Sequence, residues 1–398
     1  MLISQNTVLK TAGIIIDLRP FITALSCLIS VGVLGQTNCL GDLNNNGSVE
    51  VTDILEVLAD FSCFENCDLS DLDDDGLVGV SDILILLSLF GNECNNINPK
   101  VWTLPTFNYN VEDDLIYGQG LSHEDWGGEV IDTIELKLDT YVPINEETNR
   151  PALVLIHGGG FYGGSNETNA FVALAEEFST RGWVVFSINY RVANHRGTVP
   201  GSWLYATQYL SEDLDINQVL AMYPANRDAK AAMRWIKHNA DQYNIDPNYI
   251  SVLGGSAGAY MSIALGVSNQ QDYFNEISTI QDPSLLTTHI EETFEVKCIL
   301  DFWGGKASVD ALTLIDGQER FDSMDPPLMI VHGTLDPTVL YSQAQALFSV
   351  YQENEVECTL YPIEGEGHGI WNSNYMGTSF WELSFDFMAE HLLLDIQD

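Results

Sequence analysis

Four short stretches hold side chains that could do chemistry together. Gly254-Gly255-Ser256-Ala257-Gly258 sets a serine among glycines. On a strand-turn-helix bend those glycines let the backbone turn sharply and leave the hydroxyl projecting above a helix N-terminus. His157-Gly158-Gly159-Gly160-Phe161 offers backbone N–H groups that can turn toward a developing oxyanion. The N–H of Ala257, next after the serine, is a converging donor. Asp336 in HGTLDPTV and His368 in EGEGHGIW supply an acid and a base. Together these groups could carry out acyl transfer to water. His368 takes the Ser256 proton as the hydroxyl attacks a carbonyl, Asp336 holds the imidazole tautomer, and Gly159, Gly160 and Ala257 N–H groups stabilise the tetrahedral oxyanion. Asp301, at the end of the preceding apolar run, is a rival acid. This chemistry calls for no metal or organic cofactor.

The elements that must position these groups are legible as apolar runs. Strands are expected over 152–157, 183–190, 249–254, 296–303, 327–333 and 357–363, with helices over about 227–243 and 341–354. Continuous apolar strands separated by helices point to an α/β fold, a mostly parallel sheet with helices on both faces. Active residues of such sheets gather at strand C-termini, and each motif falls there. The chain order Ser256, Asp336, His368 and the HGGG and GxSxG motifs resemble the α/β-hydrolase fold of the carboxylesterase and lipase group over about residues 110–398. The stretch DAKAAMRWIKHNADQYNIDPNYISVLGGSAGA adds to that likeness. The resemblance implies a serine carboxylesterase acting on a small-molecule or polysaccharide-linked ester. Trp203, Tyr205, Tyr209 and Tyr223, with a polar insertion over 266–295, could shape its pocket; aromatics there either stack on a substrate ring or fill core.

A different chemistry is written near the N-terminus. DLNNNGSVEVTDILEVLADF from Asp42 superimposes on DLDDDGLVGVSDILILLSLF from Asp71, an offset of 29 residues. Each copy places oxygen-bearing side chains at loop positions 1, 3 and 5, a Gly at position 6 and an Asp at position 12. One short loop wraps a hard cation at that spacing. The side-chain ligands would be Asp42, Asn44, Asn46 and Asp53 in the first loop and Asp71, Asp73, Asp75 and Asp82 in the second, with the backbone carbonyls of Ser48 and Leu77 added. The repeat resembles the type I dockerin family, a small all-α EF-hand-like domain, over about residues 39–92. The resemblance implies structural calcium and a cohesin-like or cell-surface partner. Val51-Thr52 and Val80-Ser81 depart from the polar pairs the family often has at loop positions 10 and 11, so a self-contained or anchoring module stays open. Cys39, Cys63, Cys67 and Cys94 flank the copies. Local pairs Cys39–Cys63 and Cys67–Cys94 are expected, although four cysteines allow three connectivities.

The composition bounds all of this. In 398 residues, 15 Lys+Arg face 57 Asp+Glu for a net charge of -42, with 45% hydrophobic residues. That is enough apolar material for folded domains, and the charge opposes nucleic-acid phosphates and anionic lipid. Residues 37–98 hold 13 acids and no Lys or Arg. Lys10 and Arg19 precede a 14-residue apolar run from Phe21 to Leu34, too short to span a bilayer and suited to a signal peptide cleaved before Gln36. An N-terminal anchor or a buried helix is the alternative. The expected organisation is a signal peptide over 1–35, a calcium-binding repeat over 37–94, a linker over 95–109 and a catalytic domain over 110–398. The expected protein is secreted or at the cell surface, without stable membrane insertion, and acts on feruloyl, acetyl or similar small esters. A lipase or polyester hydrolase is the alternative enzyme, and a non-catalytic adhesion or scaffold protein with the same fold the alternative of another class. Cys298 and Cys358 are either buried thiols or a pair.

Overall fold

The computed structural model describes residues 40–43, 49–63, 70–73, 76–91, 98–209 and 215–398. The expected signal segment lies outside them, as do Asn44, Asn46, Ser48, Asp75, Cys39, Cys67 and Cys94. Two compact units divide between Asn96 and Ile97. Among the described residues no helix is long and apolar enough to cross a membrane.

In the first unit, helices α1 (Val51–Ala59) and α2 (Val80–Leu89) follow the two copies of the repeat. Its small core pairs Val49 with Val78 and Val57 with Leu86 in sequence, each pair 29 residues apart, so the duplication is also a duplication of packing. Asp53 and Asp82 are fully buried at the helix starts. Asp53 accepts N–H groups from Leu43 and Glu50, each at 2.8 Å, and Asp82 accepts those of Leu72 and Gly79, each at 2.7 Å. These bonds tie each helix start to the loop before it. Cys63 is disulfide-bonded.

The second unit is built from β1 (Lys100–Trp102), β2 (Tyr109–His123), β3 (Val130–Pro143), β4 (Arg150–Ile156), β5 (Val184–Ile188), β6 (Ile245–Gly255), β7 (Cys298–Phe302), β8 (Leu328–Gly333), β9 (Cys358–Ile363), β10 (Asn374–Tyr375), β11 (Thr378–Ser379) and β12 (Asp395–Gln397). Its helices are α3 (Asn169–Ser179), α4 (Gly201–Ala206), α5 (Ile216–His238), α6 (Ala240–Tyr243), α7 (Ala257–Val267), α8 (Ala307–Asp316), α9 (Tyr341–Glu353) and α10 (Phe380–His391). Eight strands form one sheet in the order β2-β3-β5-β4-β6-β7-β8-β9. The six strands from β5 to β9 in that order run parallel, and β3 is antiparallel to both its neighbours. Residues alternate between two apolar layers. Val154 and Val252 pack with α5 and α7 on one face, while Leu153, Leu155 and Leu253 pack with α3 and α10 on the other. This is the α/β-hydrolase fold.

Three features of this unit differ from the sequence expectation. The stretch 98–109 is not linker: Val101 is fully buried and β1 pairs with β12 beside the C-terminus. Its β-branched and aromatic residues find a partner strand nearly three hundred residues away, which local composition does not reveal. The hairpin β2–β3 was also outside the expected strands. The first half of each strand is largely exposed and mixes acids with apolar residues, so neither strand has the continuous apolar run that marks a strand buried on both faces. Helix α5 begins eleven residues earlier than expected, capped by Asp215 and running through Pro224.

Candidate active site

Ser256 sits where β6 ends and α7 begins, with φ 54° and ψ -119°. Its N–H donates to the Phe302 carbonyl of β7 at 2.8 Å, which pins the bend to the next strand. The helix behind it presses directly on β4. A β-carbon at Gly258 would stand 1.9 Å from the Ile156 carbonyl oxygen, so glycine is needed for the close approach.

The loop after β8 carries Asp336, and the loop after β9 carries His368. His368 Nδ1 lies 2.7 Å from Asp336 Oδ2, and its Nε2 lies 2.9 Å from Ser256 Oγ. The other Asp336 oxygen accepts N–H groups from Thr338 at 2.8 Å and Val339 at 2.9 Å, which orients the carboxylate toward the imidazole. His332 is buried alongside, its Nε2 2.8 Å from the Val339 carbonyl and 3.5 Å from Asp336. Asp301 is not in this chain of contacts. It is fully buried at the end of β7, accepts the Gly304 N–H on one oxygen, and has no partner on the other among the described residues. Burial pushes its pKa up to about 7, although the Gly304 bond opposes the shift.

The glycines after β4 form the third part. Gly159 has φ 122° and would drive a β-carbon to 2.0 Å from the Gly163 carbonyl oxygen. Its own carbonyl accepts the N–H groups of Tyr162 and Gly163, leaving its carbonyl turned into the loop. Gln218 of α5 donates to the Gly160 carbonyl at 2.9 Å. His157 stacks on Tyr190 at 4.3 Å, and the Tyr190 hydroxyl donates to the His157 carbonyl at 2.8 Å. Burial lowers the His157 pKa to about 4, so this ring is neutral and structural. Gly159, Gly160 and Ser256 line one cleft, and Gly160, Ser256 and Ala257 line another. All three expected oxyanion donors therefore border the serine.

Of the aromatic residues singled out above, Trp203 lines the cleft that Gly160, Ser256 and Ala257 share. Trp203 and Tyr223 pack with Tyr273 in a buried cluster, with ring centroids 5.3 to 5.9 Å apart, so they are mainly core. The cleft shared with His368 is instead walled by Phe171, Trp303, Trp371, Phe380 and Trp381. The available signal was Trp371, three residues beyond His368 in GHGIW.

A second candidate site lies in the first unit. Asp71, Asp73 and Asp82 each bring a carboxylate oxygen within 4.8 Å of the others. The Gly76 N–H donates to Asp71 at 2.8 Å, closing the loop around them. Burial pulls the Asp82 pKa up, but backbone N–H groups of Gly79, Leu72 and Asp73 outweigh it and hold the carboxylate below its usual range. An all-oxygen, anionic donor set of this kind fits calcium. Asp42 and Asp53 hold the equivalent places in the first loop.

Serine, histidine and acid at successive strand ends, with a glycine loop facing the serine, define an α/β-hydrolase class of protein. The prolyl oligopeptidase family model matches residues 170–394, more than half of the sequence, and the chain belongs to that family. It is similar to Esterase LipC of Mycobacterium tuberculosis, 23% identical over 245 residues, covering 55% of this chain and 53% of the relative. It is also similar to Endo-1,4-beta-xylanase B of Butyrivibrio fibrisolvens, 22% identical over 248 residues, covering 60% of this chain and 35% of the relative. The match thus spans about half, or less, of the length of these curated relatives. A solved structure described as a truncated form of carbohydrate esterase from gut microbiota is 20% identical, covers 74% of this chain and 99% of its own, and has a TM-score of 0.49.

Proposed function

We propose that this chain is a secreted serine carboxylesterase that removes ester substituents from polysaccharides or cleaves similar small esters. The observation that carries the reading is the unbroken contact from Asp336 through His368 to Ser256, at 2.7 and 2.9 Å. His368 Nε2 takes the Ser256 proton as Oγ bonds to the ester carbonyl carbon. Asp336 keeps the imidazole in the tautomer that can accept there and stabilises its positive form. Negative charge builds on the carbonyl oxygen and is met by the N–H groups of Gly159, Gly160 and Ala257, whose rigid loops need little rearrangement. The carbon–oxygen bond to the alcohol then breaks, and His368 returns the proton to the leaving oxygen. Water repeats the sequence: His368 takes its proton, the acyl–serine bond breaks, and Ser256 recovers its hydrogen.

Relatives named as esterases support ester over amide substrates, and the similarity to a xylanase supports a carbohydrate setting. In the first unit, calcium held by Asp42, Asn44, Asn46, Asp53, Asp71, Asp73, Asp75 and Asp82, with the carbonyls of Ser48 and Leu77, would supply folding stability and no catalytic step. That dockerin-like unit would join the enzyme to a cohesin-like or cell-surface partner. The test is release of acetate or ferulate from xylan beside a panel of p-nitrophenyl esters and a prolyl peptide amide. Ser256→Ala is expected to lower ester turnover by about a thousandfold or more. Unchanged turnover in that variant would overturn the assignment. Activity confined to long acyl chains would make the protein a lipase, and activity confined to the amide a peptidase.

A further inference from the structure

Ser256 is shared by two clefts that run to opposite faces of the sheet. One, of about 980 Å³, is bounded by α3 and α10; the other, of about 770 Å³, is bounded by α5, α8 and the start of α9. They differ in chemistry. The first presents Trp303, Trp371 and Trp381 with a polar rim that includes Asn169 and Asn372. The second sets the aliphatic Val219, Met222, Leu314 and Ile315 beside Trp203 and Tyr260, with the carboxylates of Asp215 and Asp310 also in its lining.

Stereochemistry decides which half of an ester each cleft takes. In the tetrahedral intermediate the carbon holds Ser256 Oγ, the oxyanion, the leaving oxygen and the acyl carbon. The imidazole that receives the serine proton must hand it to the leaving oxygen, so that oxygen lies on the imidazole side. His368 lines the tryptophan cleft and is not among the residues lining the second one. The expected oxyanion donors fall between the two, Gly159 lining the first, Ala257 the second and Gly160 both. The leaving alcohol therefore extends past His368 toward the tryptophans, and the acyl group extends the other way.

The alcohol-side cleft is built to hold a ring. Trp371 is clamped edge-to-face by Trp303 at 4.6 Å and Phe171 at 5.2 Å. It reaches so near the nucleophile that a β-carbon at Gly255 would come within 2.8 Å of its indole. Its partly exposed face is fixed before substrate arrives, so stacking costs little ordering entropy. Trp381 already carries the Arg181 guanidinium 4.3 Å above its ring, which leaves Trp371 as the principal platform. An aromatic face with amide side chains at the rim suits the C–H face and hydroxyls of a sugar. A lipid tail would find those amides unpaired.

We infer that the tryptophan cleft is the leaving-group subsite and that it stacks a pyranose alcohol on Trp371, while the second cleft holds the acyl group. This rests on the ester-hydrolase reading above. It can be read from how the acyl-enzyme partitions. Vinyl acetate acylates Ser256 and releases vinyl alcohol, which becomes acetaldehyde. The acyl-enzyme then passes its acetyl group either to water or to an added alcohol, whose proton goes by way of His368 back to Ser256. With methyl β-xylopyranoside and 1-butanol as competing acceptors, the wild-type enzyme is expected to favour the glycoside at equal concentration. Trp371→Ala should lower the ratio of glycoside transfer to hydrolysis about tenfold, and Trp371→Phe should restore most of it. The ratio is internal, so a loss of folded protein does not alter it. Leu314→Trp should instead shorten the acyl chain accepted among vinyl esters and spare the glycoside ratio. Transfer to butanol alone, or a glycoside ratio that responds to Leu314→Trp and not to Trp371→Ala, would overturn the assignment of the clefts. If the wild-type protein forms no acyl-enzyme at all, it is the ester-hydrolase reading that fails.

Discussion

Ser256 is held at a positive φ of 54°, a backbone state that costs a residue with a β-carbon about 1–3 kcal/mol. The return is a hydroxyl that stands clear of the strand, 2.9 Å from the imidazole. Its two neighbouring acids show how environment assigns roles. Asp336 receives two backbone N–H groups and faces His368, whereas Asp301, one strand earlier, is buried with one oxygen unpartnered. Sequence spacing left both acids in play, because Asp301 lies at the end of one strand and Asp336 follows the next. Burial raises the Asp301 pKa from 3.8 to about 7, so between those values the folded state binds a proton that the unfolded state has lost. The sign is then fixed: this residue's contribution to stability is greatest below pH 4 and declines as pH rises through 7. Asp301→Asn should remove that decline. Thermal melts should show the variant gaining on the wild type steadily from pH 4.5 to pH 8, and a difference that does not change with pH would contradict the account.

Strands buried on both faces, such as β4, β5, β7 and β8, announce themselves as unbroken apolar runs, and the motifs at their ends come with them. The hairpin β2–β3 does not, since YNVEDDLIYGQGLSH mixes solvent-facing and core-facing residues with irregular register. Tertiary pairing, rather than local pattern, makes it a strand. The tryptophan cleft was illegible for a related reason: Phe171 and Trp381 come from helices far apart in sequence that meet only when α3 and α10 cover the same sheet face. By contrast, the glycine at 258 carries its meaning at the element scale. It lets α7 lie against the end of β4, and the atom a β-carbon would strike is a backbone oxygen that cannot rotate away. Gly258→Ala is expected to cost about 3 kcal/mol, lowering the melting temperature of the second unit by roughly 5–10 °C. A melt within a degree of the wild type would show that the elbow has room to spare.

At the scale of the whole molecule, a net charge of -42 falls on two units with different uses for their acids. In the second unit the acids are mostly surface charge, balanced in the interior by pairs such as Arg191 with Asp228 at 2.7 Å and Arg227 with Asp282 at 3.2 Å. In the first, Asp71, Asp73 and Asp82 converge on one loop, and the core among the described residues is small, with Val49, Val57, Val78 and Leu86 buried. So small a core gains much from a bound cation or a cross-link, and Cys63 already supplies one of the latter. Calorimetry of the full chain should show a transition of the first unit that calcium raises and a chelator lowers. At a hundredfold excess over the dissociation constant the gain is about 2.7 kcal/mol. The transition of the second unit should not move, and Asp82→Ala should abolish the response. No shift with chelator would remove calcium from the account. Cys298 and Cys358 are both buried and free, and burial raises both thiols well above their ordinary range, so they pack as apolar side chains.

If Ser256 is an activated nucleophile, it will react covalently with an electrophilic phosphorus reagent. A fluorophosphonate probe, followed by peptide mapping of the modified residue, should place a single phosphonyl group on Ser256. Ser256→Ala should take up none. Modification of a different serine, or ester turnover that persists with Ser256 unlabelled, would contradict the account.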